Sequence, residues 1–201
     1  MMQIEFRGKH LEFLNDTTPE ILVEGSLSSG KSTVGIWKEL DAAAKHPGIW
    51  ILITRWTDDA VKTLLKPAIE QLARIRGLSL AWNNSENYYA LENGSRIFAF
   101  GLKTQSSDPL QKYAKIRGLP VSRILFDQAE QGPKDVVGEL RFRLRPDIEA
   151  RLKGIEYPRQ LTFLANPVND SHVLATDFPD SNKIQKNRKL YQFSLLDNAH
   201  V

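Results

Sequence analysis

Between Ile21 and Thr33 the chain reads Ile-Leu-Val-Glu-Gly-Ser-Leu-Ser-Ser-Gly-Lys-Ser-Thr, with four residues between Gly25 and Gly30. This is the spacing G-x-x-x-x-G-K-[ST], and its residue types suit the holding of a polyphosphate and its metal. Glycine lets the backbone turn so that its amides face phosphate oxygens. Lys31 carries a point charge to the β- and γ-phosphates, and Ser32 offers a hydroxyl to Mg²⁺. The positive end of the helix that follows adds to the attraction. Gly25, Ser26, Ser28, Ser29, Gly30, Lys31, Ser32 and Thr33 are therefore the candidate nucleotide-binding residues. At average residue usage the bare pattern arises in roughly one chain in a hundred of this length. The structural alternative is a Gly/Ser-rich turn between a strand and a helix.

A second stretch, Ile124-Leu125-Phe126-Asp127-Gln128-Ala129-Glu130, places an acid at the C-terminal end of an apolar strand, where open α/β sheets bind their ligands. With a P-loop upstream, Asp127 matches the Walker B acid that organises Mg²⁺ beside Ser32. Taken alone it would read as a carboxylate capping the next helix. A polar-ended strand, Gln160 to Ala165 closed by Asn166-Pro167, could bring Asn166 beside Asp127 to sense the γ-phosphate.

These residues need a parallel sheet to hold them. Phe6, Leu11, Phe13 and Leu14 share one helical face before the Asn15-Asp16-Thr17-Thr18-Pro19 turn, and an amphipathic run from Val34 to Ala44 follows the P-loop. His46-Pro47-Gly48 stops that helix, and Ile49–Ile53 is an apolar run suited to a strand covered on both faces. Asp58 and Asp59 open a helix to about Arg76, with Pro67 the place for a kink or break. Short strands at 78–82, 88–91 and 96–100 follow, the last two joined by Asn93-Gly94, a strong hairpin signal. A polar stretch holds a Ser106–Pro109 turn and ends in Lys115-Ile116-Arg117-Gly118. Residues 138–153 form an Arg-rich helix interrupted at Pro146, read chiefly as a solvated face and alternatively as a DNA or subunit contact. The tail carries Lys183, Lys186, Arg188 and Lys189 before Tyr191–Leu196. The pattern predicts a single α/β domain over 1–201: a P-loop NTPase of RecA-like type, its mostly parallel central sheet flanked by helices and extended by an antiparallel hairpin.

Composition sets the remaining bounds. Lys plus Arg number 27 against 24 for Asp plus Glu, a net charge of +3 that permits a nucleic-acid partner without implying one. There is no cysteine, which excludes disulfides and thiolate metal sites. No apolar run approaches the length of a membrane span and the N-terminus lacks a signal-peptide core, so the expectation is a cytoplasmic protein with no membrane partner.

Nearly the whole chain resembles one family, the ATPase domain of the large terminase subunit of tailed bacteriophages, the motor that packages DNA into proheads. Lys9–Leu14 resembles the leader before its P-loop, Ile51–Arg55 its strand ending in a basic residue, and Glu92–Ile97 its hairpin. Lys115–Gly118 followed by Ile124–Asp127 resembles its basic-Gly and hydrophobic-Asp-Glu-Ala block. Phe163–Pro167 resembles its coupling motif, with Asn166 in the coupling position, and Asp197-Asn198 the end of its ATPase region. The resemblance implies hydrolysis of ATP with Mg²⁺ by a homo-oligomeric ring that translocates double-stranded DNA, in the cytoplasm of an infected bacterial host. The portal, the prohead and a small terminase subunit would be partners, and the isolated domain would be monomeric. It also implies a separate RNase H-like nuclease domain. The acids after Asn166, namely Asp170, Asp177, Asp180 and Asp197, suggest no nuclease site, so the chain reads as an ATPase fragment. Arg117 matches the family's proposed arginine finger, with Arg123, Arg141 and Arg143 as competitors.

This chain departs from the family pattern at three positions. Leu27 stands inside the P-loop where many relatives carry a basic residue. His10 takes the place of a glutamine used near the adenine. Gln128 follows Asp127 where the family has the glutamate that deprotonates the attacking water, a task an amide cannot perform. Either Glu130 serves instead, or Gln128 is an engineered Glu→Gln change that holds ATP unhydrolysed. Both readings predict nucleotide binding, and the second predicts weak hydrolysis. A helicase- or recombinase-like ATPase and a non-hydrolysing nucleotide-dependent binding module are the alternatives.

Overall fold

Apolar runs that close at Gly25, Arg55, Asp127 and Ala165 become parallel strands. The computed structural model describes residues 4–104, 111, 113–145, 148–169, 172–178 and 187–198. The Ser106–Pro109 turn, Pro146, Asp170, Asp180, Lys183 and Lys186 lie outside the described residues. The strands are β1 Glu20–Gly25, β2 Trp50–Arg55, β3 Ala81–Asn83, β4 Tyr88–Ala90, β5 Arg96–Gly101, β6 Arg123–Asp127, β7 Gln160–Ala165 and β8 Arg188–Phe193. They form one sheet in the order β3-β4-β5-β2-β6-β7-β1-β8. From β5 to β8 every pairing is parallel, while β3 and β4 add antiparallel. The expected mostly parallel sheet with an antiparallel addition is thus present, and β7 lies between the P-loop strand β1 and the acid-ended strand β6.

The helices cover both faces. α1 (Gly8–Asn15), α2 (Lys31–Lys45) and α4 (Lys66–Arg76) bury Phe13, Val34, Ile36, Leu40, Ile69 and Leu72 against Ile21, Val23, Ile51, Ile53 and Leu125. On the other face α5 (Lys134–Arg143) buries Val136, Val137 and Leu140 against Leu22, Leu52, Ile124, Phe126 and Phe163. Adjacent residues of β1 and β6 therefore go to opposite cores, which is why those strands read as unbroken apolar runs.

The long helix expected from Asp58 to Arg76 is continuous but not uniform. α3 (Asp58–Ala60), capped by the Thr57 hydroxyl, passes into a π-helical turn at Val61–Leu65 before α4 begins, with Pro67 in its first turn. A proline nitrogen has no hydrogen to donate, and the wider turn just ahead of it absorbs that loss. The strand expected at 78–82 starts later, at Ala81. The Asn93-Gly94 hairpin joins β4 to β5 as expected. Its Asn93 Nδ2 also donates to the Ala43 carbonyl at 2.8 Å, fixing the turn to the end of α2. The Arg-rich stretch supplies α5 and the short helix α6 (Ile148–Leu152), while α7 (Val173–Asp177) and the sheet position of β8 have no counterpart among the expected elements. Among the described residues no helix is long and apolar enough to cross a membrane.

Candidate nucleotide site

The turn from β1 into α2 is shaped by contacts that only small residues permit. At Gly25 a Cβ would stand 2.6 Å from the Phe193 carbonyl of β8 and 2.8 Å from Ser29 Oγ. Gly30 precedes α2 with φ +82°, and a Cβ there would meet the His10 ring at 2.8 Å. Ser28 also holds a left-handed conformation, φ 62°. Such backbone is costly for a side-chain-bearing residue and persists only when its surroundings hold it. Two side chains from distant parts of the chain do so. His10 Nε2–H donates to the Ser29 carbonyl at 2.9 Å, and Asn198 Nδ2 donates to the Ser28 carbonyl at 2.8 Å. His10 is 3% exposed and lies 4.5 Å from the Phe193 ring, so it sits under the loop as a brace.

Lys31 Nζ donates to the carbonyls of Gly25 and Ser26 at 2.6 and 2.9 Å. Burial lowers its pKa, and the charges of Asp127 and Glu130 offset part of that shift. The ammonium thus sits at the mouth of the loop between backbone oxygens and two carboxylates. Ser32, in the first turn of α2, donates its hydroxyl to Asp127 Oδ1 at 2.9 Å, tying the P-loop to the end of β6.

Asp127 is 1% exposed, and its second oxygen accepts from Arg55 Nε at 2.9 Å and Arg55 Nη2 at 2.6 Å. Arg55 closes β2, the neighbour of β6 in the sheet. The guanidinium and the Ser32 hydroxyl together satisfy both oxygens of the buried Asp127 side chain. Beyond Asp127 the chain turns sharply: Gln128 has φ 56°, and Ala129–Gln131 forms a 3-10 turn. That turn sends Glu130 to the end of β7, where Glu130 Oε1 accepts from Asn166 Nδ2 at 2.8 Å. The other carboxylate oxygen, Glu130 Oε2, is buried and has no partner among the described residues.

A cavity of about 430 Å³ opens above these strand ends. Ser28, Ser29, Gly30, Lys31, Ser32, Thr33, Asp127, Gln128 and Asn166 line it, together with Leu27, Arg55, Leu164, Ala165 and Asn198. Gly25, Ser26, His10, Glu130 and Arg117 stand outside the lining. Among the described residues no group of three or more His, Asp or Glu side chains is gathered to hold a metal. A cation at Ser32 and Asp127 would therefore complete its coordination with phosphate oxygens and water, the usual arrangement for Mg²⁺. The hard oxygen donors of the Ser32–Asp127 contact fit that ion.

The expected arginines separate by environment. Arg123 is buried and forked onto Glu39, Arg141 bonds Glu20 and Asp177, and Arg143 bonds Glu139 within α5. Arg117 is exposed, in a loop pinned by the Tyr113 phenol donating to Asp135 at 2.9 Å and by the Lys115–Asp58 ion pair. Arg55 and Asn198 join the site with no role there expected from the sequence. For Arg55 a signal was available: like Asp127, it is a charged residue closing a buried strand.

No protein-family model and no curated protein matches the sequence. Solved structures do match by fold. The large terminase from a thermophilic bacteriophage superposes with a TM-score of 0.80 at 19% identity, covering 98% of this chain and 48% of that one. The same terminase solved in complex with ATP-gamma-S gives 0.74 at 18% identity over 98% of this chain and 47% of that one. The ATPase domain of the Thermus phage P74-26 large terminase gives 0.66 at 12% identity, covering 94% of this chain and 80% of that one. The N-terminal domain of the DNA packaging ATPase from bacteriophage phi29 gives 0.60 at 16%, covering 90% and 93%. The chain spans about half the length of the thermophilic-phage terminase, and its fold is that of the ATPase domains of phage large terminases.

Proposed function

We propose that this chain is the ATPase motor domain of a terminase large subunit, binding ATP with Mg²⁺ at the P-loop and coupling its hydrolysis to movement of double-stranded DNA. The observation that carries the reading is the 2.9 Å bond from Ser32 to Asp127, which joins the phosphate loop to the acid-ended strand in one cavity. The P-loop amides and Lys31 bind the phosphates. Ser32 and Asp127 hold the cation, which when bound neutralises charge building on the transferred phosphoryl group. Asn166, at the end of β7, faces the same cavity and is suited to register the terminal phosphate.

Position 128 lines the cavity whereas Glu130 lies outside the lining, behind Asn166, which favours position 128 as the place beside the attacking water. An amide there can orient water but cannot take its proton, so hydrolysis by this chain is weak. Arg117 is exposed and outside its own cavity, which suits it to serve the nucleotide of a neighbouring subunit in a ring. The portal, the prohead, the small terminase subunit and the cytoplasm of an infected bacterium belong to the same proposal. The second reading, a nucleotide-dependent binding module without hydrolysis, is favoured by Gln128 alone.

Calorimetric titration with ADP and ATP-gamma-S in the presence of Mg²⁺ tests the reading. The wild-type chain is expected to bind both, and Lys31→Ala to weaken binding at least about tenfold through loss of a charge-assisted contact. Failure of the wild-type chain to bind either nucleotide, or unchanged binding by Lys31→Ala, would overturn it.

A further inference from the structure

Two cations line the phosphate cavity among the described residues, Lys31 and Arg55. The loop itself offers no other, since Leu27 is 82% exposed at the position where a basic side chain could reach inward. Arg55 is unusual in how its donors are used. Its side chain is nine-tenths buried, at 10% exposure, and Nε and Nη2 are both spent on the single oxygen Oδ2 of Asp127. Nη1 is buried and has no partner among the described residues. Burying a guanidinium donor without an acceptor is costly, and an anion within its reach would relieve that cost more strongly than a neutral acceptor or water.

The geometry of the pair says where that anion would come from. The guanidinium is planar and rigid, so fixing one edge on Asp127 leaves Nη1 on another edge of the same plane. Asp127 is itself divided, with Oδ1 turned to Ser32 of the P-loop helix and Oδ2 to Arg55. Arg55 thus approaches the cavity from the side of β2, across Asp127 from the P-loop. Lys31 approaches from the loop. A phosphate chain laid along the loop would bring its last phosphate between the two cations.

We propose that Arg55 is a phosphate-reading arginine supplied by the chain's own β2 strand, its Nη1 donating to the terminal phosphate of a bound nucleoside triphosphate. The proposal rests on the nucleotide reading above and deepens it. Arg55 distinguishes triphosphate from diphosphate within one subunit, a task separate from any arginine contributed by a neighbour. The buried ion pair with Asp127 holds the guanidinium ready, so little side-chain freedom is lost when the phosphate arrives.

The test compares Mg²⁺-dependent binding of ATP-gamma-S and ADP, by calorimetry, in the wild-type chain, Arg55→Gln and Arg55→Lys, with thermal melting as a check of folding. In Arg55→Gln the affinity for ATP-gamma-S is expected to fall about tenfold or more while that for ADP stays within about twofold. Arg55→Lys keeps a positive charge on Asp127 and guards against misfolding of the first variant. A lysine cannot hold Asp127 and also present a second edge, so the same selective loss is expected from it. Equal losses for the two nucleotides, or no loss for either, would make Arg55 a purely structural partner of Asp127 and overturn the inference alone. Absence of binding by the wild-type chain would overturn the nucleotide reading and this inference with it.

Discussion

Individual residues hold the P-loop in its left-handed turn, and they reach it from both ends of the chain. His10 and Asn198 each take one carbonyl of the Ser28-Ser29 pair, and Gly30 leaves room for the His10 ring. Gly30→Ala is expected to cost about 1–2 kcal/mol in backbone strain alone. It would also press a methyl group against the His10 ring, so the loop should shift and nucleotide affinity should drop together with the melting temperature. Calorimetry beside a thermal melt checks both, and unchanged affinity would mean that the loop tolerates a different turn. These braces were invisible in the sequence because partners such as Ser28 and Asn198 are 170 positions apart. The loop motif itself is contiguous, so it could be read directly. Asp127 could be read because a carboxylate closing an apolar strand is a local signal. Its pairing with Arg55 could not, because nothing local says that β2 and β6 are neighbours.

Between elements, a buried polar network joins the P-loop helix to the strands. Arg123 at the start of β6 forks onto Glu39 of α2 at 2.6 and 2.9 Å and bonds Gln160 of β7 at 2.6 Å. Gln160 in turn donates to the Asp16 and Thr18 carbonyls ahead of β1. Removing one charge of a buried pair strands the other. Arg123→Met should therefore cost about 3–5 kcal/mol in chemical unfolding, and Arg123→Met with Glu39→Leu should cost less than either single change. A double variant worse than both singles would contradict this.

Next to the network, Lys38 Nζ donates to the Phe13 and Asp16 carbonyls, and burial followed by the charge of Arg123 lowers its pKa to about 7. Glu39 and Asp16 act in the opposite sense, and Lys189 adds to the lowering. A lysine depressed in the folded state binds fewer protons than it does unfolded between about pH 7 and its ordinary value. The penalty on folding is therefore full below about pH 7 and is relieved as pH rises. Lys38→Met is expected to gain more melting temperature relative to wild type at about pH 6 than at about pH 9, and a gain independent of pH would refute the assignment. Sequence periodicity located most elements because they bury continuous faces. It missed the short helix α7 and the sheet position of β8, an edge strand whose alternate residues face solvent. The π-helical turn before Pro67 also escaped it, because a proline inside a helical pattern signals disruption without specifying its form.

For the molecule as a whole, the proposed motor depends on a nucleotide site completed between subunits. Arg117 is exposed, whereas Arg123 is buried and Arg141 and Arg143 are half-buried in ion pairs. In an assembled ring, Lys31→Ala subunits retain the arginine and Arg117→Ala subunits retain the phosphate loop. Mixing them equally should restore about a quarter of the sites, because each working site needs one subunit of each kind in a given order. DNA-stimulated ATP hydrolysis with prohead and portal, with Gln128→Glu introduced into both kinds of subunit so that turnover is measurable, reads this out. Recovery absent at every mixing ratio would place the arginine's action within its own subunit, or outside catalysis.

On the proposed function the cavity is a hydrolytic motor site in which Gln128 stands where the base should be. The deciding measurement is the steady-state ATPase rate of Gln128→Glu against the chain with Gln128, with duplex DNA present. Supplying a carboxylate beside the attacking water is expected to raise the rate by about a hundredfold or more while leaving ADP affinity within about twofold. No rise in rate, in a variant that still binds nucleotide, would contradict this assignment.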